Sequence, residues 1–264
     1  MRKYLGILKE VTDGDLELLK NNPKEFWKDV TAIDDFAFAG CKTLEKIEIP
    51  NSITEIGQSA FKDCESLKEV SLPEGITELP HSTFMDCEEL KKIEIPKSVT
   101  KIGHYAFADC TYLENIVLPE GVTEIGEYSF SNCENLESIT LPKSLNKIGE
   151  YAFHGCDDLK SITIQGNVLD IENSTFQYCS SLRKIILPKT LITIGAFAFE
   201  SCENLESIVI PGNVARIEAN AFGNCTDLTS ITLSKNLTTI GDSAFNGCKN
   251  LENIVIPDGV TEIN

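Results

Sequence analysis

The stretch AFKDCESLKEVSLPEGITEL, residues 60–79, decides the fold because nearly the whole chain repeats it. Every cysteine of the 264-residue chain lies in a copy of this stretch, 23 residues from the next, with no insertion or deletion between copies. The ten cysteines are Cys41, Cys64, Cys87, Cys110, Cys133, Cys156, Cys179, Cys202, Cys225 and Cys248. A fixed period of about 20–50 residues is typical of a solenoid, in which each unit packs mainly against its neighbours. We therefore expect one elongated stack.

Four further columns of the repeat are apolar in every unit. A phenylalanine precedes each cysteine by three residues, as Phe61 does, and a leucine follows three residues after it, as Leu67 does. The sixth and eighth residues after the cysteine are always aliphatic, as at Val70 and Leu72. This alternation predicts a short strand with one buried face, so each repeat should add one strand to a parallel sheet.

A second apolar pair follows the strand in each unit, as at Ile53 and Ile56. A threonine such as Thr54 usually lies within the pair, and a glycine such as Gly57 usually follows it. This composition favours a short extended segment on the opposite wall of the coil.

Residues 1–29 lie outside the repeat and are expected to form a helical cap. One helix is predicted from Thr12, with Asp15 in the capping-box position, and a second from Asn22, which a proline follows. Four apolar side chains would then cover the first open face of the stack. They are Leu16, Leu19, Phe26 and Trp27. The solenoid itself should occupy residues 30–264 with about ten repeats and an open C-terminal end.

Composition excludes several classes of partner. The 23 Lys and Arg residues against 41 Asp and Glu residues give a formal net charge of −18, which repels phosphate backbones and anionic lipid. A nucleic-acid partner is therefore not expected. No apolar run approaches the roughly 20 residues that span a bilayer, so membrane insertion is not expected either. The apolar run in MRKYLGILKE is too short for a secretory signal peptide.

The columns read L-x-x-I-x-I-P-x-x-V-T-x-I-G-x-x-A-F-x-x-C over about residues 30–264. This pattern resembles the leucine-rich repeat, specifically the 23-residue BspA-like subfamily. The resemblance implies an α/β, β-rich solenoid, right-handed and curved, with a parallel sheet along one face. It also implies a bacterial or protist protein of the cell surface that adheres to host matrix proteins, to other cells or to itself, without enzymatic activity or a cofactor. Because this chain has no recognisable signal peptide, its compartment stays open.

The cysteines are expected to be free, buried thiols. They form one column whose side chains point the same way, and ten cysteines in 264 residues are far fewer than in a disulfide scaffold. Since no Cys-x-x-Cys pair is present, a metal site built from them is not expected.

One column contains two of the three histidines. His81 and His104 are 23 residues apart and therefore adjacent in the stack, and the column continues with Glu127 and Glu150. Such a row is a weak candidate for a divalent metal site, and the alternative is a solvated polar loop column. We expect His154 to be a solvated loop residue. No nucleophile, base and phosphate-binding loop occur together, so catalysis is not expected.

The candidate binding surface is the residue between the two buried strand positions, seven after each cysteine, which must point outward. In the first three units it is polar or charged, and in the other seven it forms a β-branched, largely apolar row about 30 Å long if coils lie ~4.8 Å apart. This row consists of Val117, Thr140, Thr163, Ile186, Val209, Thr232 and Val255. The alternative is that β-branched residues simply suit an exposed strand.

A second candidate is an aromatic strip five residues before the cysteines. Tyr105, Tyr128 and Tyr151 occupy this column in consecutive units, and Phe36 and Phe197 share it. Aromatic residues often dominate binding energy, although here they would also shield the corner of each coil.

These patterns predict a non-enzymatic protein-interaction module for adhesion or scaffolding. The alternative is a structural spacer or stalk that presents another domain and has no ligand of its own. Because the chain stops midway through a coil, an open apolar end predicts either a longer natural protein or end-to-end self-association.

Overall fold

The computed structural model describes residues 2–4 and 6–263. The 23-residue units form one continuous stack of coils, and their strands pair in parallel along two walls of the stack. Strands and helices are numbered in chain order below.

The strand predicted after each cysteine is present as a three-residue strand in eight units. These eight strands pair two by two along one wall, which we call the long-strand sheet. They are β4 (Lys46–Glu48), β6 (Glu69–Ser71), β9 (Asn115–Val117), β11 (Ser138–Thr140), β13 (Ser161–Thr163), β15 (Lys184–Ile186), β17 (Ser207–Val209) and β19 (Ser230–Thr232). In the unit of Cys87, a single parallel bridge joins Lys92 to Asn115.

The second extended segment is also present, as two-residue strands on the opposite wall. These strands pair in three successive groups along that wall, which we call the short-strand sheet. They are β3 (Ala32–Ile33), β5 (Glu55–Ile56), β7 (Glu78–Leu79), β8 (Lys101–Ile102), β10 (Glu124–Ile125), β12 (Lys147–Ile148), β14 (Asp170–Ile171), β16 (Thr193–Ile194), β18 (Arg216–Ile217), β20 (Thr239–Ile240) and β21 (Glu262–Ile263).

The pairing register equals the sequence period. Ile116 pairs with Ile139 in the long-strand sheet, and Ile194 pairs with Ile217 in the short-strand sheet, each 23 residues apart. Equivalent side chains therefore lie side by side in adjacent coils, and each column of the sequence becomes a row along the stack.

The core is organised around the phenylalanine column. Neighbouring rings from Phe38 to Phe245 stack with centroids 4.9–5.6 Å apart and planes within 3–19° of parallel. Phe26 and Trp27 continue this stack at the N-terminal end, with their rings 6.1 and 6.2 Å from that of Phe38. Aromatic side chains of the N-terminal segment thus cover Phe38, the first ring of the phenylalanine column.

Each coil turns its corner with two residues in the left-handed region. One follows the glycine column by two residues and the other directly precedes the cysteine, as Ser59 (φ 52°) and Asp63 (φ 59°) do. Between them, alternate amides donate to the next coil, as the Phe61 amide does to the Thr83 carbonyl at 3.0 Å. The corner therefore satisfies backbone groups between coils as a sheet would, but at a bend.

At most positions of the glycine column, the coils are too close for a side chain. A Cβ atom on Gly126 would lie 2.6 Å from the His104 amide nitrogen, and one on Gly57 would lie 2.3 Å from the Asp35 amide nitrogen. Gly126 and Gly57 do not have positive φ, so the missing side chain is what matters here rather than backbone freedom.

The N-terminal segment contains both predicted helices and an additional hairpin. α1 (Asp13–Asn21) begins after Thr12, whose amide donates to the Asp15 carboxylate at 2.9 Å, and α2 (Pro23–Phe26) begins after Asn22. The prediction of a purely helical segment missed β1 (Arg2–Tyr4) and β2 (Ile7–Glu10), which pair antiparallel. β2 also pairs in parallel with β3 and buries Leu8, so it extends the short-strand sheet by one strand. No helix in the described part of the chain is long and apolar enough to cross a bilayer.

Candidate functional site

The predicted outward row lies on the surface of the long-strand sheet. Pairing places Val117 beside Thr140, Thr163 beside Ile186, and Val209 beside Thr232. Val117, Ile186, Val209 and Val255 are 64%, 48%, 67% and 84% exposed, Thr140 and Thr232 are exposed, and Thr163 is half-buried. The row is therefore continuous along the stack, with its weakest exposure at Thr163.

Local structure explains why this row faces outward in a fixed register. Its residues alternate with buried ones, so that Ile208 and Ile210 point into the core on either side of exposed Val209. The strands are only three residues long, but each is hydrogen-bonded in register to a neighbour. The row is thus held in place by the coils before any partner binds.

A shallow groove lies over the row where Ile186 and Val209 are adjacent. It has a volume of about 740 Å³. Its walls include Lys184, which begins β15, and Lys189 and Lys235, which follow β15 and β19. This part of the long-strand sheet therefore combines exposed aliphatic groups with lysines.

Another groove lies between α1 and the first long strand. Its lining carries both charge signs, with Glu45 and Glu48 near Lys46. Lys46 forms ion pairs with Glu48 at 3.5 Å and with Glu69 at 2.9 Å. Its lining contains four acidic and two basic side chains, so its charge is opposite in sign to that of the groove around Ile186, whose lining carries three lysines and no carboxylate.

The tyrosine column forms a stack on a corner of the coil. Ring centroids are 4.8 Å apart between Tyr105 and Tyr128 and 4.5 Å apart between Tyr128 and Tyr151, with planes within 4° of parallel. The three rings are half-buried, and all three residues are left-handed, with φ of 54–56°. Burial raises the pKa of Tyr128, and the neighbouring tyrosines and glutamates raise it further.

Histidines extend this stack at both ends, which the sequence prediction missed. His81 packs edge-on against Tyr105 at 5.4 Å, and His154 lies 5.8 Å from Tyr151 and 5.3 Å from Tyr178. The expectation that His154 is a solvated loop residue is wrong: it is half-buried between these rings, and burial lowers its pKa. This set, from His81 to Tyr178, is a cluster of histidine and tyrosine rings that includes the tyrosine column.

The column of His81 and His104 acts as a hydrogen-bond ladder. The ring centroids of the two histidines are 6.2 Å apart, and Nδ1 of His104 accepts the amide of Glu127 at 3.1 Å. Asn173 plays the same part further along, where its Oδ1 accepts the amide of Ala196 at 2.9 Å. Residues 2–4 and 6–263 contain no group of three or more His, Cys, Asp or Glu side chains arranged to hold a metal ion. The geometry therefore gives this column a structural role.

The cysteines are free thiols, nine of them buried and Cys248 partly exposed. Each thiol from Cys64 onward donates to the phenylalanine carbonyl 26 residues earlier, at 3.0–3.2 Å. Burial raises the pKa of Cys41 to about 11 and raises the pKa of Cys110 well above its usual value. These thiols are therefore structural hydrogen-bond donors with little thiolate character.

Three aspartates stack directly before the cysteines in consecutive coils. Burial raises the pKa of Asp86 to about 6, and the charge of Asp109 and a hydrogen bond with Asp63 act in the same direction. In the next coil Asn132 donates to Asp109 at 2.9 Å and ends the acidic row. This titrating group was not anticipated from the sequence.

Comparison with known proteins places these features in a family. The profile described as "BspA type Leucine rich repeat region (6 copies)" matches residues 31–160 and 146–264. Among curated proteins, no match to the chain was found.

Solved structures show the same fold. A leucine-rich repeat protein from Bacteroides ovatus ATCC 8483 is 27% identical, with a TM-score of 0.67 over 100% of this chain and 82% of that chain. A leucine-rich repeat protein from Eubacterium ventriosum ATCC 27560 is 22% identical, with a TM-score of 0.57 over 97% of this chain and 88% of that chain. Leucine-rich repeat proteins are typically non-catalytic and use the extended surface of the stack for protein interaction. The sequence, the fold and the profile match together establish that this chain belongs to the BspA-type leucine-rich repeat family.

Proposed function

We propose that the chain binds a partner protein through the outward row of the long-strand sheet. The single observation that carries this proposal is the outward line of β-branched side chains from Val117 to Thr232, which pair in register two by two on three-residue strands and which Val255 continues beyond the last of these strands. A rigid surface loses little conformational entropy when it binds, which favours affinity. The family suggests adhesion or scaffolding, with a host matrix protein or another cell-surface protein as the partner.

In this proposal, residues 1–29 close the first coil and residues 30–264 supply the binding surface. Leu19, Phe26 and Trp27 are buried against the first coil, which supports the first role. No residue is assigned to catalysis and no cofactor is assigned.

The test is a triple substitution in the centre of the row, Thr163→Glu, Ile186→Glu and Val209→Glu. Binding to immobilised host matrix proteins is measured by surface plasmon resonance, and the fold is checked by circular dichroism melting. We expect saturable binding by the unmodified chain and a loss of at least about tenfold in affinity for the triple variant.

A matched control places the same charges on the opposite wall. Thr123, Leu169 and Ile192 are exposed on the short-strand side, and Leu169 and Ile192 are 48% and 45% exposed. Thr123→Glu, Leu169→Glu and Ile192→Glu should leave binding intact. If both triple variants bind equally well, the row is not the site. If the unmodified chain binds no surface protein saturably, the spacer function is favoured.

The tyrosine column is proposed as a secondary contact surface. Serine occupies the same left-handed position in other coils, at Ser59, Ser82, Ser174 and Ser243. Replacing Tyr105, Tyr128 and Tyr151 by serine therefore keeps the backbone and removes the rings. We expect partner affinity to fall less than for the triple-glutamate variant, and unchanged affinity would assign these rings to structure alone.

A further inference from the structure

The charge on the outward face of the long-strand sheet changes sign along the stack. In the coils from Ser138 to Asn236, the five segments 138–144, 161–167, 184–190, 207–213 and 230–236 contain no aspartate or glutamate. They contain four lysines, Lys143, Lys184, Lys189 and Lys235. The four equivalent segments before them, 46–52, 69–75, 92–98 and 115–121, contain five glutamates and three lysines. Although the chain is acidic, the charged side chains of these five segments are therefore all cationic.

These lysines are not neutralised within the chain. All four are exposed, and none forms an ion pair with a carboxylate of the described residues. Other lysines of the same coils do form such pairs, as Lys147 does with Glu124 at 3.4 Å and Lys160 does with Glu137 at 2.9 Å. Within these five coils, the lysines without an ion pair are thus confined to the face that carries the outward row.

The lysines lie on both sides of the exposed aliphatic groups. Lys184 begins β15 and Lys189 follows its end, so Ile186 lies between them. Lys235 lies on the same side as Lys189, two coils further on, about 10 Å away if coils are ~4.8 Å apart. Between these two lysines the column contains Gly212, where a Cβ atom would meet nothing within 4 Å. The groove therefore has an aliphatic floor, a lysine on each side and an open position.

We propose, resting on the function proposed above, that this groove binds an acidic, extended protein segment whose carboxylates alternate with aliphatic side chains. The aliphatic side chains pack on Ile186 and Val209, and the carboxylates pair with Lys184, Lys189 and Lys235. The net charge of −18 does not prevent this, because screening limits its reach to about 8 Å at physiological salt and the nearest charges are lysines. Long polyanions such as nucleic acid extend beyond that range and meet the acidic remainder of the surface.

The test uses three blocked, fluorescently labelled octapeptides of alternating sequence: Glu-Val, Gln-Val and Lys-Val repeats. Binding to the full 264-residue chain is measured by fluorescence anisotropy at two or more salt concentrations. We expect the Glu-Val peptide to bind at least about tenfold more tightly than the Gln-Val peptide and to weaken as salt rises. The Lys-Val peptide should not bind at this face.

The variant test is Lys184→Gln, Lys189→Gln and Lys235→Gln together. Its control neutralises three exposed lysines elsewhere, Lys24→Gln, Lys91→Gln and Lys249→Gln. Both variants change the formal net charge from −18 to −21, so long-range repulsion is matched. The groove variant should lose at least about tenfold in affinity for the Glu-Val peptide, and the control should change less than about twofold.

The outcomes separate this inference from the function on which it rests. Equal binding of the Glu-Val and Gln-Val peptides, or equal effects of the two lysine variants, overturns the acidic-segment proposal. Tighter binding of single-stranded DNA than of the Glu-Val peptide also overturns it. If the peptide does not bind but the Thr163, Ile186 and Val209 variant still loses a matrix partner, the proposed function stands and only the partner chemistry is wrong. If neither partner nor peptide binds, both proposals fail.

Discussion

The Sγ atom of Cys133 donates a hydrogen bond to the backbone carbonyl of Phe107 in the preceding coil, at 3.1 Å. The same carbonyl also accepts the amide of Cys110. The cysteine column therefore ties each coil to the phenylalanine carbonyl of the coil before it. The regular spacing of the cysteines follows from this contact.

Replacing Cys133 by alanine should destabilise the chain by about 1–2 kcal/mol, because it removes a buried hydrogen bond and leaves a small cavity. Urea unfolding followed by circular dichroism measures this change. Cys248→Ala is the matched control, since Cys248 makes the same bond but is only partly buried, and its loss should be smaller. Equal losses at the two sites would contradict the structural role assigned to burial.

Thiol reactivity should follow burial along the column. In the native 264-residue chain we expect Cys248 to react first with a thiol reagent, because it is partly exposed whereas the other nine thiols are buried. The nine buried thiols should react only as the chain unfolds, since burial suppresses their thiolates. Denatured protein should consume ten equivalents without prior reduction, and materially fewer would indicate disulfides.

Gly126→Ala should destabilise the stack by about 1–3 kcal/mol, because the added Cβ would lie 2.6 Å from the His104 amide nitrogen and the coils would have to separate. Gly14→Ala is the control. Gly14 lies in α1, where a Cβ would be 3.9 Å from the Thr12 hydroxyl, so alanine should stabilise by about 0.5 kcal/mol. Thermal unfolding of both variants measures the contrast, and a neutral Gly126→Ala would mean that the coils do not pack this closely.

Ser129→Ala should stabilise the chain by about 1 kcal/mol. The Ser129 hydroxyl is buried without a hydrogen-bond partner among the described residues, so removing it relieves a desolvation penalty. Thr175 occupies the same column two coils on and donates to the Glu172 carbonyl at 2.8 Å. Thr175→Val should therefore destabilise by a similar amount, and chemical denaturation of the pair would show opposite signs. Destabilisation by Ser129→Ala would reveal a partner for its hydroxyl.

Asp86→Asn should stabilise the chain at about pH 7, and this advantage should shrink toward about pH 4. A folded-state pKa of about 6 means that Asp86 holds its proton in the folded state at a pH where the unfolded chain has released it. Stability from this group is therefore present at low pH and lost as pH rises through about 6. Solvent screening limits the effect to about 1 kcal/mol, because the side chain is only partly buried.

Urea titrations of both proteins across this pH range measure the difference. Taking the difference cancels carboxylates with the opposite trend, such as Glu69, whose pKa Lys46 holds low. If the difference in unfolding free energy between the two proteins does not change with pH, Asp86 does not contribute to the pH dependence of stability.

Columns of the sequence predicted the coil, its two extended segments and the outward row, because pairing at the 23-residue period turns each column into a spatial row. Contacts that run diagonally between columns were missed. His154 lies two residues before its cysteine and Tyr178 one residue before the next, so no single column contains both. The pairing of β2 with β3 was missed for a similar reason: residues outside the repeat have no column, and their strand forms only against an existing sheet edge.

The cationic groove could not be predicted from single columns, because it depends on which side of the strand each lysine lies. Lys184 and Lys189 belong to different columns, and only the strand between them shows that they flank Ile186. Charge counted over the whole chain concealed this region, since the total is strongly negative.

Because successive coils pair in the same register, the length of the molecule is set by the number of 23-codon repeats in its gene. A 23-codon duplication or deletion preserves the backbone register at the junction, so it adds or removes one complete coil and shifts the outward row by about 4.8 Å. Recombination between near-identical repeats can therefore lengthen the binding face, or move the boundary between its acidic and cationic halves, without redesigning any single contact.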